Sequence, residues 1–403
     1  MSARFTFFSE QRLQSMNALV ALLLVSCLLL VGCGQQVVKS TRQTPLTIEN
    51  APRNEALLLD VGVLPFDAGL DEVDDDDETV LAEIRNAEAG YMATYLAGTI
   101  QRTAAWGAVR VLPGSDVIID VTVAGKILHS DGERLELKVS VRDVSGREWF
   151  SKEYEEIVGK YSYEKRRELK QEPFQGIYNR VANDMLVYQR KLSDQRLKEL
   201  RTLSEIRFAR EFSPRAFESY LATNRKGELE LVGLPPENDP QLQRIRKIRD
   251  RDYLFVDTIQ EYYDTFSRRM ELPYHEWRAN SYSEILAVRE LKRQSRNRTI
   301  AGVASIIGGI AAQTSDSRAT RAAGAVAIGG GGLLVKSGLS KRDEVQMHVE
   351  ALVELGQSLE AEIEPQVIDL EDRTITLTGN VHTQYEQWKE LLDELHRAER
   401  GNL

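Results

Sequence analysis

Ala18 to Val31 is an apolar run broken only by Ser26. It matches the hydrophobic stretch of an export signal and falls short of the ~20 residues a transmembrane helix needs. Gly34 to Glu55 is polar and aperiodic, and predicts a linker. The apolar run Ala56 to Phe66 then suits a buried central strand. The acidic series from Asp71 to Glu78, with Asp74 to Asp77 in succession, predicts a solvated loop, because like charges repel. Its sharper alternative, a calcium loop, lacks the glycine and the spaced ligands. From Thr79, Leu81, Ile84, Tyr91, Tyr95 and Ile100 recur near one helical face, up to Trp106. Three strand signals follow Gly107: Val109 to Leu112, Val117 to Leu128, and Leu135, Leu137, Val139 and Val141 in alternation with polar residues. Turns are expected at Ser130 to Gly132 and at Ser145-Gly146, ahead of a strand from Glu148 to Tyr154. This order of strand, helix, strand and three-stranded meander predicts a mixed sheet, and the fold class is α+β.

Tyr161 to Phe212 is highly charged and reads as one long helix or a helical pair. Asn224 to Pro240 is rich in turn residues, and Gln241 to Arg298 predicts a second helical block interrupted near Pro273. Within it Tyr253, Val256, Ile259, Tyr263 and Phe266 step at helical spacing, widened by Phe255 and Tyr262. Such a stripe predicts core packing, with a partner-binding groove as the alternative. Near the C-terminus, Lys341 to Glu364 is an amphipathic helix ended by Pro365. Strands at Val367 to Leu370 and Thr374 to Leu377 and a helix at Tyr385 to Arg397 complete the chain.

Between these blocks lie two uncharged, glycine-rich arms, Thr299 to Ala312 and Ala322 to Val335. Small residues recur every fourth position, as in Ala301, Ser305 and Gly309, which lets helix backbones approach closely. Gly302, Gly308, Gly309, Gly324 and the run Gly329, Gly330, Gly331 and Gly332 are the candidate packing or membrane contacts. Glycine costs ~1 kcal/mol against alanine in an exposed helix, so a close surface must offset that loss. Each arm, of about 14 residues, would reach roughly 21 Å as a helix, short of the ~30 Å bilayer core. A membrane-associated or oligomeric helical hairpin, a buried soluble hairpin and a flexible loop all remain open.

Net charge of −10 argues against a nucleic-acid binder, which needs a positive footprint. The five histidines, His129, His275, His348, His382 and His396, show no metal-ligand spacing. No nucleophile elbow, phosphate loop or dinucleotide fingerprint is present, so neither an enzyme nor a cofactor is expected. The acidic pairs Asp250/Asp252 and Glu371/Asp372 carry no weight without a pocket.

Leu30-Val31-Gly32-Cys33 resembles the lipobox of bacterial lipoproteins, with a branched residue at −3 and a small one at −1. The resemblance implies that the Cys33 thiol receives diacylglycerol and that residues 1–32 are cleaved as a signal peptide. Cys27, the other of two cysteines, would leave with that peptide, so no internal disulfide could form. Gly34-Gln35-Gln36 lacks the residues that retain lipoproteins at the inner membrane, implying an outer-membrane anchor; the body is expected to face the periplasm, with surface exposure as the alternative.

Val61-Gly-Val-Leu-Pro-Phe66, the helix after it, Val109-Arg-Val-Leu-Pro113 and the Ser130 to Gly132 hairpin are similar to a known periplasmic domain. That domain occurs in the curli-secretion lipoprotein CsgG, in the N-terminal domain of TolB and in lipoproteins that activate penicillin-binding proteins. It implies binding and assembly. Arg373-Thr-Ile-Thr-Leu-Thr-Gly-Asn-Val381 resembles the core of a BON domain, a module linked to phospholipid contact, and an unrelated α+β cap is the alternative. The expected organisation is a signal (1–32), a linker (33–55), an α/β domain (56–156), a helical region (157–298), a glycine-rich hairpin (299–340) and a C-terminal α+β unit (341–403). The expected function is non-catalytic envelope assembly, transport or scaffolding, with the membrane reached through lipidated Cys33 and with protein partners or a homo-oligomer. Activation of a peptidoglycan enzyme and an unrecognised envelope enzyme are the alternatives.

Overall fold

Val61–Val63 (β1) is buried along its whole length, as a central strand in an apolar run must be. It pairs in parallel with Val109–Val111 (β2) on one side and Val121–Ser130 (β3) on the other. Arg134–Asp143 (β4) and Glu148–Ile157 (β5) continue from β3 as an antiparallel meander, giving the order β2-β1-β3-β4-β5. The expected mixed sheet and α+β class are therefore what the chain adopts. This is a computed structural model, and it describes residues 43–50, 54–72, 82–163, 172–294, 353–354, 357, 366–369 and 374–401. The signal segment, Asp74 to Glu78, the glycine-rich arms and most of Lys341 to Glu364 lie outside the described residues.

Alternation decides which way the meander faces. Val121, Val123, Ile127, Leu135, Leu137, Val139 and Val141 are buried, while Lys138, Arg142, Ser151 and Glu153 are exposed. Ala82–Arg102 (α1) packs against β1, β2 and β3. It is rich in alanine and buried on nearly every side, because further helices cover its outer face. The segment Tyr161 to Phe212 resolves as a helical pair, Gln175–Gln189 (α2) and Asp194–Phe212 (α3). Ser193 caps α3 by accepting a hydrogen bond from the Arg196 N–H at 3.2 Å, one of the donors a helix start leaves free. Asp184 of α2 receives bonds from Lys152 (2.9 Å) and Tyr154 (2.8 Å), fixing α2 to β5.

Pro240–Gln294 (α4) is one helix of 55 residues, about 80 Å long at ~1.5 Å per residue. The break expected at Pro273 does not occur. Proline removes one backbone donor and costs ~3 kcal/mol in a helix interior. Its neighbours Met270 and Tyr274 are fully buried and Arg278 is nearly so, so packing on both sides of the proline holds the helix continuous. The aromatic stripe is core, since Phe255, Val256, Ile259, Tyr263 and Phe266 are all buried. α4 also covers the sheet's free edge. The Val111 N–H donates to Gln260 Oε1 at 2.8 Å, and Gln260 Nε2 donates to the Val111 carbonyl at 2.9 Å. One side-chain amide thereby occupies the pairing position that an exposed edge strand offers to another chain.

Two features were not readable as periodicity. The turn-rich interval contains a small hairpin, Leu221–Thr223 (β6) and Leu229–Leu231 (β7), whose strands are too short to show alternation. Its turn needs Gly227, whose φ is +81°. Residues 43–50, expected as linker, lie along α2. Asn179 donates to the Thr44 carbonyl at 2.8 Å, and Asn183 both accepts from Thr47 N–H (2.8 Å) and donates to the Pro45 carbonyl (3.0 Å).

The C-terminal strands are seen at Gln366–Asp369 (β8) and Thr374–Leu377 (β9), an antiparallel pair. The final helix, Val381–Gly401 (α5), starts four residues earlier than its apolar pattern predicts. Asn380 supplies the start, accepting from Thr383 N–H at 2.9 Å. α5 packs on α4, with the Phe255 and Trp388 rings stacked at 5.0 Å. The described residues fall in one compact unit. Among the described residues no helix is long and apolar enough to cross a membrane.

Candidate functional site

Two charged residues stand in the apolar row of α4, and each organises a polar centre. The first is Arg278, which continues the row Phe266, Met270, Tyr274 at spacing four. Its guanidinium makes a two-pronged ion pair with Glu172, just ahead of α2, and the two side chains are 1% and 2% exposed. Tyr91 of α1 donates to the same carboxylate at 3.0 Å, and the Tyr274 ring lies 3.9 Å from the guanidinium carbon. Glu172 and Tyr274 outweigh the burial that works against its charge, and the Arg278 pKa is raised well above its ordinary value. Next to it, Glu88 of α1 accepts from Ser130 (2.5 Å) and Tyr274 (2.7 Å), with Arg85 at 3.6 Å. Two buried arginines thus balance two buried glutamates, which tie α1, α4, the β3–β4 hairpin and the start of α2 to one another.

The hairpin turn here requires Gly132. A Cβ at that position would stand 2.1 Å from the Arg278 carbonyl oxygen and 2.4 Å from the Tyr282 nitrogen, so helix backbone lies directly on the turn. Beside the cluster, a half-open cleft of about 300 Å³ runs between α1 and α4. Tyr91 and Tyr95 line one wall and Arg268, Glu271 and His275 the other. Burial and the adjacent Arg278 lower the His275 pKa, so this imidazole is neutral at pH 7.

The second centre surrounds Asp252, which stands in the row Ile245, Ile248, Phe255, Val256. It is 2% exposed, and α3 and α5 close over it. Its Oδ1 and the Trp388 Nε1 are both buried and neither completes a hydrogen bond. Burial pushes the Asp252 carboxyl up to about 6, against the pull of Lys389 and of the Trp388 and Tyr385 polar groups. Lys389 of α5 bridges Asp116, in the β2–β3 connection, and Glu211 of α3, each at 2.9 Å. Burial works against that ammonium, but the two carboxylates outweigh it and raise its pKa. Further along α5, His396 lies 2.9 Å from the Ser213 hydroxyl.

Cys33 and all eight candidate glycines, from Gly302 to Gly332, lie outside the described residues. Among the described histidines, His129 pairs with Asp131 (2.8 Å) and His382 with Glu386 (3.2 Å), and no group of acidic, histidine or cysteine side chains there is arranged to hold a metal ion. Sequence reasoning passed over Glu172, Arg278 and Lys389 and set Asp252 aside. A charge standing in an apolar helical row was the available signal. No protein-family model, curated protein or solved structure matches the chain.

Proposed function

We propose that the chain is a lipid-anchored outer-membrane lipoprotein that serves as a non-catalytic assembly or scaffolding component of the cell envelope. The observation that carries this reading is Leu30-Val31-Gly32-Cys33 at the end of an apolar run of signal length. Two structural facts support it. Gln43 is already seated, donating to the Glu172 and Pro173 carbonyls at 3.1 and 3.2 Å. Only nine residues, 34 to 42, separate it from Cys33, and fully extended this span reaches at most ~35 Å, so a lipid on Cys33 holds the body close to the bilayer surface. The buried Arg278 and Glu172 are also paired with one another across elements, an arrangement suited to a rigid binding body. The protein then works by presenting its surfaces to partners, or to copies of itself, at a fixed distance from the membrane.

Substituting Cys33→Ser should abolish incorporation of labelled fatty acid and leave the signal uncleaved at this position. Labelling that persists unchanged in the variant would overturn the anchor and the reading built on it.

A further inference from the structure

We infer that the seat of the C-terminal helix on α4 is an acid-strengthened clasp, in which a proton on Asp252 tightens the docking of α5. The geometry sets this out in three parts. Asp252 is buried at the contact and one of its oxygens lacks a hydrogen-bond partner, which makes the ionised form costly there. Among the described residues α5 brings Tyr385, Trp388 and Lys389 to it, and their pull toward the ionised form is outweighed by burial. The remaining space is about 10 Å³, room for no more than a single water, so Asp252 keeps little of its hydration while α5 is docked.

The other charges facing this point compound the effect. α3 contributes Glu211, and the β2–β3 connection contributes Asp116. Lys389 is the cation among three carboxylates and is already shared between Asp116 and Glu211. On α4 itself, the neighbouring Arg249 is turned to Ser204 (2.6 Å) and Tyr253 (2.7 Å) and does not pair with Asp252. A third negative charge therefore arrives at a position where the one ammonium is committed, and a neutral carboxyl relieves it.

The sign follows from linkage. Docked, the Asp252 carboxyl titrates at about 6; released into water, it returns to its ordinary 3.8. The docked state thus holds its proton more tightly, and docking is strongest below the lower value and weakens as pH rises through the upper one. Between pH 7 and pH 5 the docking equilibrium should strengthen about tenfold.

Hydrogen exchange of the α5 amides in the full chain, corrected for intrinsic rates, reads this directly. Wild-type protection should be about tenfold greater at pH 5 than at pH 7. Asp252→Asn, a neutral carboxamide of nearly the same shape, should remove this rise and protect α5 at pH 7 more strongly than the wild type is protected at pH 5, because its docked and released forms are both uncharged. His396 is present in both proteins, so its own contribution cancels from the comparison. Should Asp252→Asn fold poorly, Lys389→Met supplies the second reading, because loss of the one cation should weaken docking at pH 7 and steepen the gain on acidification. Equal pH dependence in wild type and Asp252→Asn, or protection that falls from pH 7 to pH 5, would overturn the inference. So would an unchanged slope in Lys389→Met.

Discussion

Replacing Arg278 with methionine should destabilise the fold by ~3–5 kcal/mol, the cost expected when one partner of a buried ion pair is removed. The loss comes chiefly from what remains. Glu172 is 2% exposed, and without the guanidinium its charge is left with the Tyr91 hydroxyl and no cation within the cluster but Arg85, which serves Glu88. At ~2.1 cal/mol/K of unfolding entropy per residue, a unit of this size shifts by less than about 2 °C per kcal/mol, and the melting temperature should fall by roughly 4–9 °C. The double variant Glu172→Gln/Arg278→Met should recover much of that, since it removes the stranded charge along with its partner. Thermal unfolding of the wild type, Arg278→Met and the double variant checks both statements. A single variant as stable as the wild type would show that the pair does not join α4 to the start of α2.

Trp388→Ala should release the C-terminal helix while the sheet remains folded. Truncating a buried tryptophan costs ~3–5 kcal/mol, and here the loss falls on the seat of α5 on α4, where Trp388 stacks on Phe255. Undocking of α5 limits what the rest of the protein can lose, because the helix can separate before the core does. Amides of α5 should therefore exchange at least ~100-fold faster, a factor set by ~1.4 kcal/mol per decade, with β1 to β5 little changed. Water would then reach Asp252, so the difference in α5 protection between pH 5 and pH 7 should shrink as well. Uniform acceleration throughout the chain would instead mean that α5 and the sheet unfold as one cooperative block.

Much of the sheet domain was legible because its signals are local. The alternation of Leu135 to Val141 and the turns at Ser130 to Gly132 and Ser145-Gly146 depend on neighbouring residues alone, and β3 to β5 follow them. What the periodicity could not convey depends on tertiary contact. Pro273 argues locally for a break, and only the burial of Met270 and Tyr274 decides otherwise. The linker residues 43–50 have no period because their partners are two asparagines, Asn179 and Asn183, at separations of 135, 136 and 138 positions. Arg278 and Asp252 occupy apolar rows, so their charges read as exceptions until Glu172 and α5 are placed over them. Asp252 in particular gains its character from Trp388 and Lys389, more than a hundred residues further on.

Cross-linking in intact cells, comparing the wild-type chain with Cys33→Ser, tests the central claim most directly. A lipid-anchored scaffold should give discrete adducts in the membrane fraction, either of the chain with itself or with envelope proteins. Those adducts should be lost when Cys33 can no longer be acylated. A wild-type chain that stays monomeric and uncross-linked in the soluble fraction, indistinguishable from Cys33→Ser, would contradict the claim.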